Sequence, residues 1–241
     1  MTAASSVALE GIRIRRERSR SSNLTERLTL VPIKEHDYTL IFLHGFMMRA
    51  HDLLDDFTQV QERCPTWRIV LPQAPKMAIT AHGGSATPSW YDYLTDTSGA
   101  CEDYVDTTSL RVRCVQLDEL IRAEEELLYK KFKQRDYGRI FLGGLSQGGT
   151  LALDVASRSA LGGVVTMAAP RLSVSLRREL QCPWHGLFAR EDEIFPTRWA
   201  APLQADATAT WCEGDHSLEG VDTVAYLATT LQKFQASRKD S

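Results

Sequence analysis

Long hydrophobic runs are missing from this sequence. The longest candidates, such as Leu40-Ile41-Phe42-Leu43, are strand-sized. A membrane-spanning helix needs roughly 18 to 20 apolar residues. Residues 1–10 lack the apolar centre of a signal peptide, and Thr2 stands where N-myristoylation requires glycine. Cysteines are few: Cys64, Cys101, Cys114, Cys182 and Cys212 are an odd number, widely scattered, with no C-x-x-C. That pattern predicts free thiols in a reducing compartment and a cytoplasmic protein. No charge of one sign dominates, and the net charge of -3 gives no basis for a nucleic-acid partner. Gly83-Gly84 and Gly162-Gly163 lack the flanking pattern of a phosphate-binding loop, so no nucleotide cofactor is implied. His36, His51 and His82 lack metal-ligand spacing to any cysteine or carboxylate, so no metal is expected.

What remains is an ordinary globular composition, 43% hydrophobic and 24% charged over 241 residues, enough to bury the core of one α/β domain. Arg13, Arg15, Arg16, Arg18 and Arg20 lie among serines with little to bury. On composition, residues 1–23 read as a disordered, solvated Arg/Ser-rich tail, and residues 24–241 as a single domain. An Arg/Ser targeting peptide is opposed by Glu10 and Glu17, and a patch for anionic membrane by the shortness of the run.

Beyond the tail, strand and helix patterns alternate. Strands are expected near residues 28–33, 39–43, 67–71, 139–142, 163–168, 184–188 and 209–211. Helices are expected over 53–63, 107–132, 147–157, 197–204 and 218–234. In the longest helix, Leu110, Cys114, Leu117, Leu120 or Ile121, Leu127 and Leu128 mark the apolar face. Residues 75–106 are irregular, a length that points to function or to small elements of their own. The alternation predicts an α/β fold, a mostly parallel central sheet with helices on both faces.

Gly144-Leu145-Ser146-Gln147-Gly148 fits G-x-S-x-G, with a strand leading in and a helix leading out. That is the setting of a nucleophile elbow, in which the glycines leave room for a sharp turn and the serine hydroxyl stands above the sheet edge. A serine needs a base, and in the α/β-hydrolase fold the acid and histidine follow the nucleophile in the chain. His216 lies in Glu213-Gly214-Asp215-His216-Ser217, after the last strand, whereas His185 starts a strand and is expected to pack near the sheet. The acid is expected in Glu191-Asp192-Glu193, with Asp192 chosen to orient the imidazole and the two glutamates facing water. Backbone N–H groups of Gln147 and of Phe46, in the loop after Leu40-Ile41-Phe42-Leu43, are the expected oxyanion donors. His44 is expected to shape that loop by hydrogen bonding.

Six blocks now resemble a known family. They are Phe42-Leu43-His44-Gly45-Phe46; Leu71-Pro72-Gln73-Ala74-Pro75; Gly83-Gly84 leading to Ser89-Trp90-Tyr91-Asp92; residues 143–149; 192–196; and 214–217. In order and spacing they resemble the phospholipase/carboxylesterase group of α/β hydrolases, which includes the acyl-protein thioesterases. The resemblance spans about residues 38–236. It implies Ser146, Asp192 and His216 as the triad, Phe46 and Gln147 as oxyanion donors, and Trp90 beside the active site. The chain departs from the family where Met47 and Met48 replace a Gly-Asp pair and where His82 replaces Asn before Gly83-Gly84. The two methionines either line an acyl pocket or pack the loop.

The expectation is a serine hydrolase cleaving carboxylic esters or thioesters through an acyl-enzyme, with no cofactor. A fatty-acylated protein is the first substrate class, with transient membrane association, and Trp90 with Met47 and Met48 contacts the acyl chain. Lysophospholipase or small-ester carboxylesterase activity is the alternative within the same chemistry. A non-catalytic ligand-binding protein on the same fold is the alternative outside it, opposed by the intact Ser146, Asp192 and His216.

Overall fold

The computed structural model describes residues 5–9, 12–18, 26–95, 105–172, 179–195 and 208–238. In chain order the strands are β1 (Ser5–Leu9), β2 (Ile12–Arg18), β3 (Glu26–Leu30), β4 (Tyr38–Leu43), β5 (Trp67–Pro72), β6 (Lys76–Ile79), β7 (Ser85–Pro88), β8 (Ile140–Leu145), β9 (Gly163–Met167), β10 (Trp184–Ala189) and β11 (Thr208–Cys212). Four α-helices accompany them among the described residues: α1 (Leu54–Arg63), α2 (Thr107–Phe132), α3 (Gln147–Ala156) and α4 (Thr223–Ser237).

Nine strands form one sheet in the order β1-β2-β3-β5-β4-β8-β9-β10-β11. Every pairing from β5 through β11 is parallel, and the β1-β2, β2-β3 and β3-β5 pairings are antiparallel. β4, β5, β8 and β9 are almost wholly buried, as strands covered on both faces must be. One core packs under α2 and α3, with Ile41, Val70, Leu142 and Leu153 among its members. A second packs under α1 and α4, built on Leu40, Phe42, Phe57 and Leu231. From β4 the chain runs outward to β5, then returns to β8 on β4's other side. That reversal is a topological switch point, and in open α/β sheets ligands bind at the carboxyl ends of the strands beside it, here β4 and β8.

The N-terminal segment departs from expectation. Residues 5–9 and 12–18 are strands of the sheet rather than a disordered tail. Ile12 and Ile14 are buried while Arg13 and Arg15 are exposed, a period-two alternation that the arginine-rich composition masks. Glu17 completes the attachment: Arg27 donates to it at 2.7 Å, and Arg68 lies 3.5 Å from its other oxygen.

α2 spans the expected range, capped by Asp106, whose carboxylate accepts from Thr108 N–H and Ser109 N–H. Its core face differs. Leu127 is 40% exposed, while Glu124 and Glu125 are fully buried. Arginines from elsewhere explain the exchange: Arg68 of β5 donates to Glu124 at 2.7 Å, and Arg135 pairs with Glu125. α4 starts at Thr223 rather than near Leu218, because Asp222 caps it by accepting from Ala225 N–H. Within 75–106, β6 and β7 form a hairpin. The expected helix at 197–204 lies outside the described residues.

Candidate active site

Ser146 sits between β8 and α3 with φ 51° and ψ −123°. A non-glycine residue held in such a conformation costs about 1–3 kcal/mol and must be held by its surroundings. The surroundings do this by crowding. A Cβ on Gly144 would lie 2.4 Å from the Gly148 carbonyl carbon, and one on Gly148 would lie 2.4 Å from Leu43 O. Only glycine at both positions lets the turn close and lets α3 press against the end of β4. Ser146 N–H is fixed by Met167 O at 2.9 Å.

His216 Nε2 lies 2.9 Å from Ser146 Oγ, and His216 Nδ1 lies 2.9 Å from Asp192 Oδ2. An ionised carboxylate only accepts, so Nδ1 carries the proton and Nε2 presents its lone pair to the serine hydroxyl. Asp192 is 6% exposed. Its Oδ1 accepts from Ile194 N–H at 2.9 Å and Phe195 N–H at 2.6 Å, so the carboxylate cannot rotate away. The Phe195 ring meets the imidazole edge-on, with centroids 5.1 Å apart. Glu191 N–H donates to Gly214 O at 3.1 Å, holding the Asp192 loop to the His216 loop. Asp215 is exposed and turned into its own loop, where it accepts from Ser217 N–H and Oγ. His185 packs edge-on against Phe234.

The loop after β4 closes on the same point. A Cβ on Gly45 would sit 3.6 Å from Ser146 Cβ, so Gly45 borders the serine and Phe46 follows it in the loop. Gln147 opens α3, where first-turn N–H groups have no intrahelical acceptor and the helix dipole favours negative charge. His44 shapes the loop. Its Nδ1 donates to Gly45 O at 2.8 Å, and its Nε2 accepts from Ala74 N–H at 3.0 Å. Burial pushes its pKa down to about 4, so the ring is neutral.

Trp90 lies beside the site as expected but is turned inward. It is 1% exposed and sits behind the β4 loop, donating from Nε1 to His44 O at 2.7 Å. It therefore lines no groove: its indole N–H found a partner inside the protein, as buried tryptophans generally require. Met48 is half-buried against the α1-side core, while Met47 is 59% exposed at φ 66°. The Phe46 ring meets those of His82 and Tyr93 edge-on, with centroids 5.3 and 5.1 Å away. Among the described residues, no three His, Cys, Asp or Glu side chains converge as a metal site requires.

Two contacts were invisible in the sequence. Glu193, expected to face water, is exposed yet accepts from His216 N–H at 3.3 Å. The Gln147 side chain accepts from Trp90 N–H at 3.0 Å and donates to Tyr91 O at 3.0 Å. The Ser89-Trp90-Tyr91-Asp92 block was the one signal that this segment mattered.

The chain is 30% identical over 147 residues to acyl-protein thioesterase 1 of Cryptococcus neoformans, covering 59% of this chain and 58% of that protein. It is 30% identical over 142 residues to acyl-protein thioesterase 1 homolog 1 of Dictyostelium discoideum, covering 56% and 58%. It thus spans little more than half the length of these curated relatives. Among solved structures, Arabidopsis thaliana SOBER1 superposes with a TM-score of 0.64 at 17% identity, covering 82% of this chain and 99% of that one. Zea mays acyl-protein thioesterase 2 superposes with a TM-score of 0.64 at 16% identity, covering 86% and 98%. At such identities the superpositions speak for the fold alone, the α/β-hydrolase fold. With the model of the phospholipase/carboxylesterase family matching residues 26–224, from β3 through the start of α4, the chain belongs to that family.

Proposed function

We propose that this protein is a serine hydrolase that cleaves fatty acyl thioesters from protein cysteine, with Ser146 as nucleophile, His216 as base and Asp192 as orienting acid. The observation that carries the reading is the continuous hydrogen-bonded line from Asp192 through His216 to Ser146, 2.9 Å at each step. His216 Nε2 takes the hydroxyl proton as Ser146 Oγ attacks the acyl carbonyl. The oxyanion that forms is met by the N–H groups of Phe46 and Gln147. The imidazolium, held by Asp192, returns its proton to the leaving thiol. Water, deprotonated by the same imidazole, then hydrolyses the acyl-enzyme.

The relatives named acyl-protein thioesterase support the thioester preference. Met47, exposed beside the oxyanion loop, is the apolar side chain we assign to the acyl chain. Cys64, Cys114, Cys182 and Cys212 are all free, which supports a reducing, cytoplasmic setting. A lysophospholipase or carboxylesterase reading uses the same residues, and the breadth of the family favours keeping it in the test. Covalent labelling by a fluorophosphonate probe should occur and should vanish in Ser146→Ala. A wild-type protein that stays unlabelled would sink the proposal. Turnover of palmitoyl-cysteine peptides should then exceed that of lysophosphatidylcholine and of p-nitrophenyl esters of matched chain length. A strict preference for acetyl esters would overturn the fatty-acyl assignment.

A further inference from the structure

The two N–H groups assigned to the oxyanion come from elements far apart in sequence, the loop after β4 and the first turn of α3. Their relative placement must nevertheless hold to a fraction of an ångström, since small misplacements at a reacting centre are costly. We propose that residues 88–91 are the strut that sets this spacing, with Trp90 as its central positioning residue. The inference rests on the reading of Phe46 and Gln147 as oxyanion donors.

The strut pins the β4 loop on both sides of Phe46. Upstream, Trp90 Nε1 donates to His44 O at 2.7 Å. Downstream, Met47 N–H donates to Pro88 O at 3.1 Å. The same segment grips the second donor through its side chain. Trp90 N–H donates to Gln147 Oε1 at 3.0 Å, and Gln147 Nε2 donates to Ser89 Oγ at 2.9 Å and to Tyr91 O at 3.0 Å. The Ser89 hydroxyl donates in turn to Tyr91 O at 2.6 Å. The result is a closed circuit from the Phe46 loop through residues 88–91 to Gln147. The Trp90 ring packs on the His44 ring at 5.0 Å, and Arg113 of α2 donates to Trp90 O at 3.2 Å. His44, Ser89, Trp90, Tyr91 and Gln147 are all buried, and the loop is tied on both sides of Phe46, so its N–H has little freedom to swing. Trp90, with no exposed surface to offer a substrate, acts through the groups it holds.

The test is Trp90→Phe in the full chain, assayed with a p-nitrophenyl ester and with a trifluoromethyl ketone, whose serine adduct places an oxyanion in the same position. Phenylalanine keeps an aromatic ring and deletes the donor to His44 O. We expect kcat to fall about 10- to 100-fold with KM within threefold. The inhibition constant of the ketone should rise by the same factor. The pH dependence of kcat/KM should keep its midpoint, because Trp90 does not touch Ser146, His216 or Asp192. A kcat within twofold of wild type, or a fall in kcat without matching loss of ketone affinity, overturns the strut. If Trp90→Phe does not fold, 3-benzothienylalanine at position 90 replaces only the ring N–H by sulfur and is read by the same criteria. Wild-type turnover abolished by Ser146→Ala, measured alongside, keeps the hydrolase reading separate. If that turnover is absent the parent reading fails, and the strut with it.

Discussion

Replacing Asp192 by asparagine changes one atom and reverses one hydrogen bond. Two backbone donors, Ile194 N–H and Phe195 N–H, converge on Oδ1 at 2.9 and 2.6 Å. An amide NH2 cannot face two donors, so the asparagine carbonyl oxygen must take the Oδ1 position. The NH2 group is then forced into the Oδ2 position, 2.9 Å from His216 Nδ1. Nδ1 also lies 3.1 Å from Oδ1, but that oxygen already meets two shorter donors, so the imidazole accepts from the NH2 group by moving its proton to Nε2. Nε2–H then points at Ser146 Oγ across 2.9 Å, and the serine faces a donor where it needs a base. Elsewhere an acid-to-amide exchange of this kind has lowered kcat about 10⁴-fold, which is about 5 kcal/mol of transition-state stabilisation. Both Oδ1 bonds survive the exchange, so the loop should keep its shape.

The assay is kcat and KM for a p-nitrophenyl ester, with the fluorophosphonate labelling rate and Tm beside them. Asp192→Asn should lose about four decades of kcat, slow labelling in parallel, and leave KM and Tm close to wild type. An Asp192→Asn enzyme within tenfold of wild type would refute the tautomer argument. It would show that Nδ1–H is held by the oxygen at Oδ1 or by another group such as Glu193, which already accepts from His216 N–H, or that His216 is not the base.

Other consequences follow from the packing. Glu124→Gln keeps one acceptor for Arg68 but removes the charge, leaving Glu17 at 3.5 Å as its ion-pair partner among the described residues, and should cost about 3–5 kcal/mol in urea unfolding; an unchanged midpoint would mean that solvent reaches Arg68. Gly148→Ala drives a methyl group into Leu43 O and His44 O, 2.4 and 2.5 Å away, so it should lower Tm and activity together; wild-type activity would contradict the close approach of α3 to β4. Burial holds His44 and His36 near pKa 4, against about 6.5 when unfolded. The unfolded chain therefore binds more protons between pH 4 and 6.5, so this part of the stability is complete above pH 6.5 and is lost as pH falls toward 4. Each ring contributes up to about 3 kcal/mol. His36→Gln should flatten the wild-type decline over that window, and parallel curves for the two proteins would count against it.

The parts of the site that were legible in the sequence are those whose geometry is local. Strand, turn and helix around Ser146 lie within one short stretch, and the glycines that permit the turn are in the motif itself. Asp192 and His216 were legible because chain order in this fold restricts where an acid and a base can stand. Side-chain direction was not legible. Trp90 was assigned to the neighbourhood of the site and does lie there, but it faces His44 O rather than a ligand. The buried glutamates of α2 failed for a related reason: Glu124 looks solvated until β5 brings Arg68 against it. At the N-terminus, the arginine count outweighed the alternation of Ile12 and Ile14 that places β2 in the sheet.

These misreadings bear on how the site is held together. Ser146, the β4 loop and the His216 loop each come from a different strand end, and the sheet alone fixes only where those strands stop. The finer placement falls to groups that no motif marks as catalytic: a neutral His44, a buried Trp90, the Gln147 amide, and the paired N–H groups on Asp192. They share one property, the satisfaction of every strong donor or acceptor inside a dry interior, where an unmet partner costs about 1–3 kcal/mol. That cost turns each of them into a constraint on position. A substitution that keeps the shape of such a group and removes one polar atom should therefore damage turnover before it damages folding. Asp192→Asn and Trp90→Phe test that ordering at opposite sides of Ser146, one through the base and the other through the oxyanion.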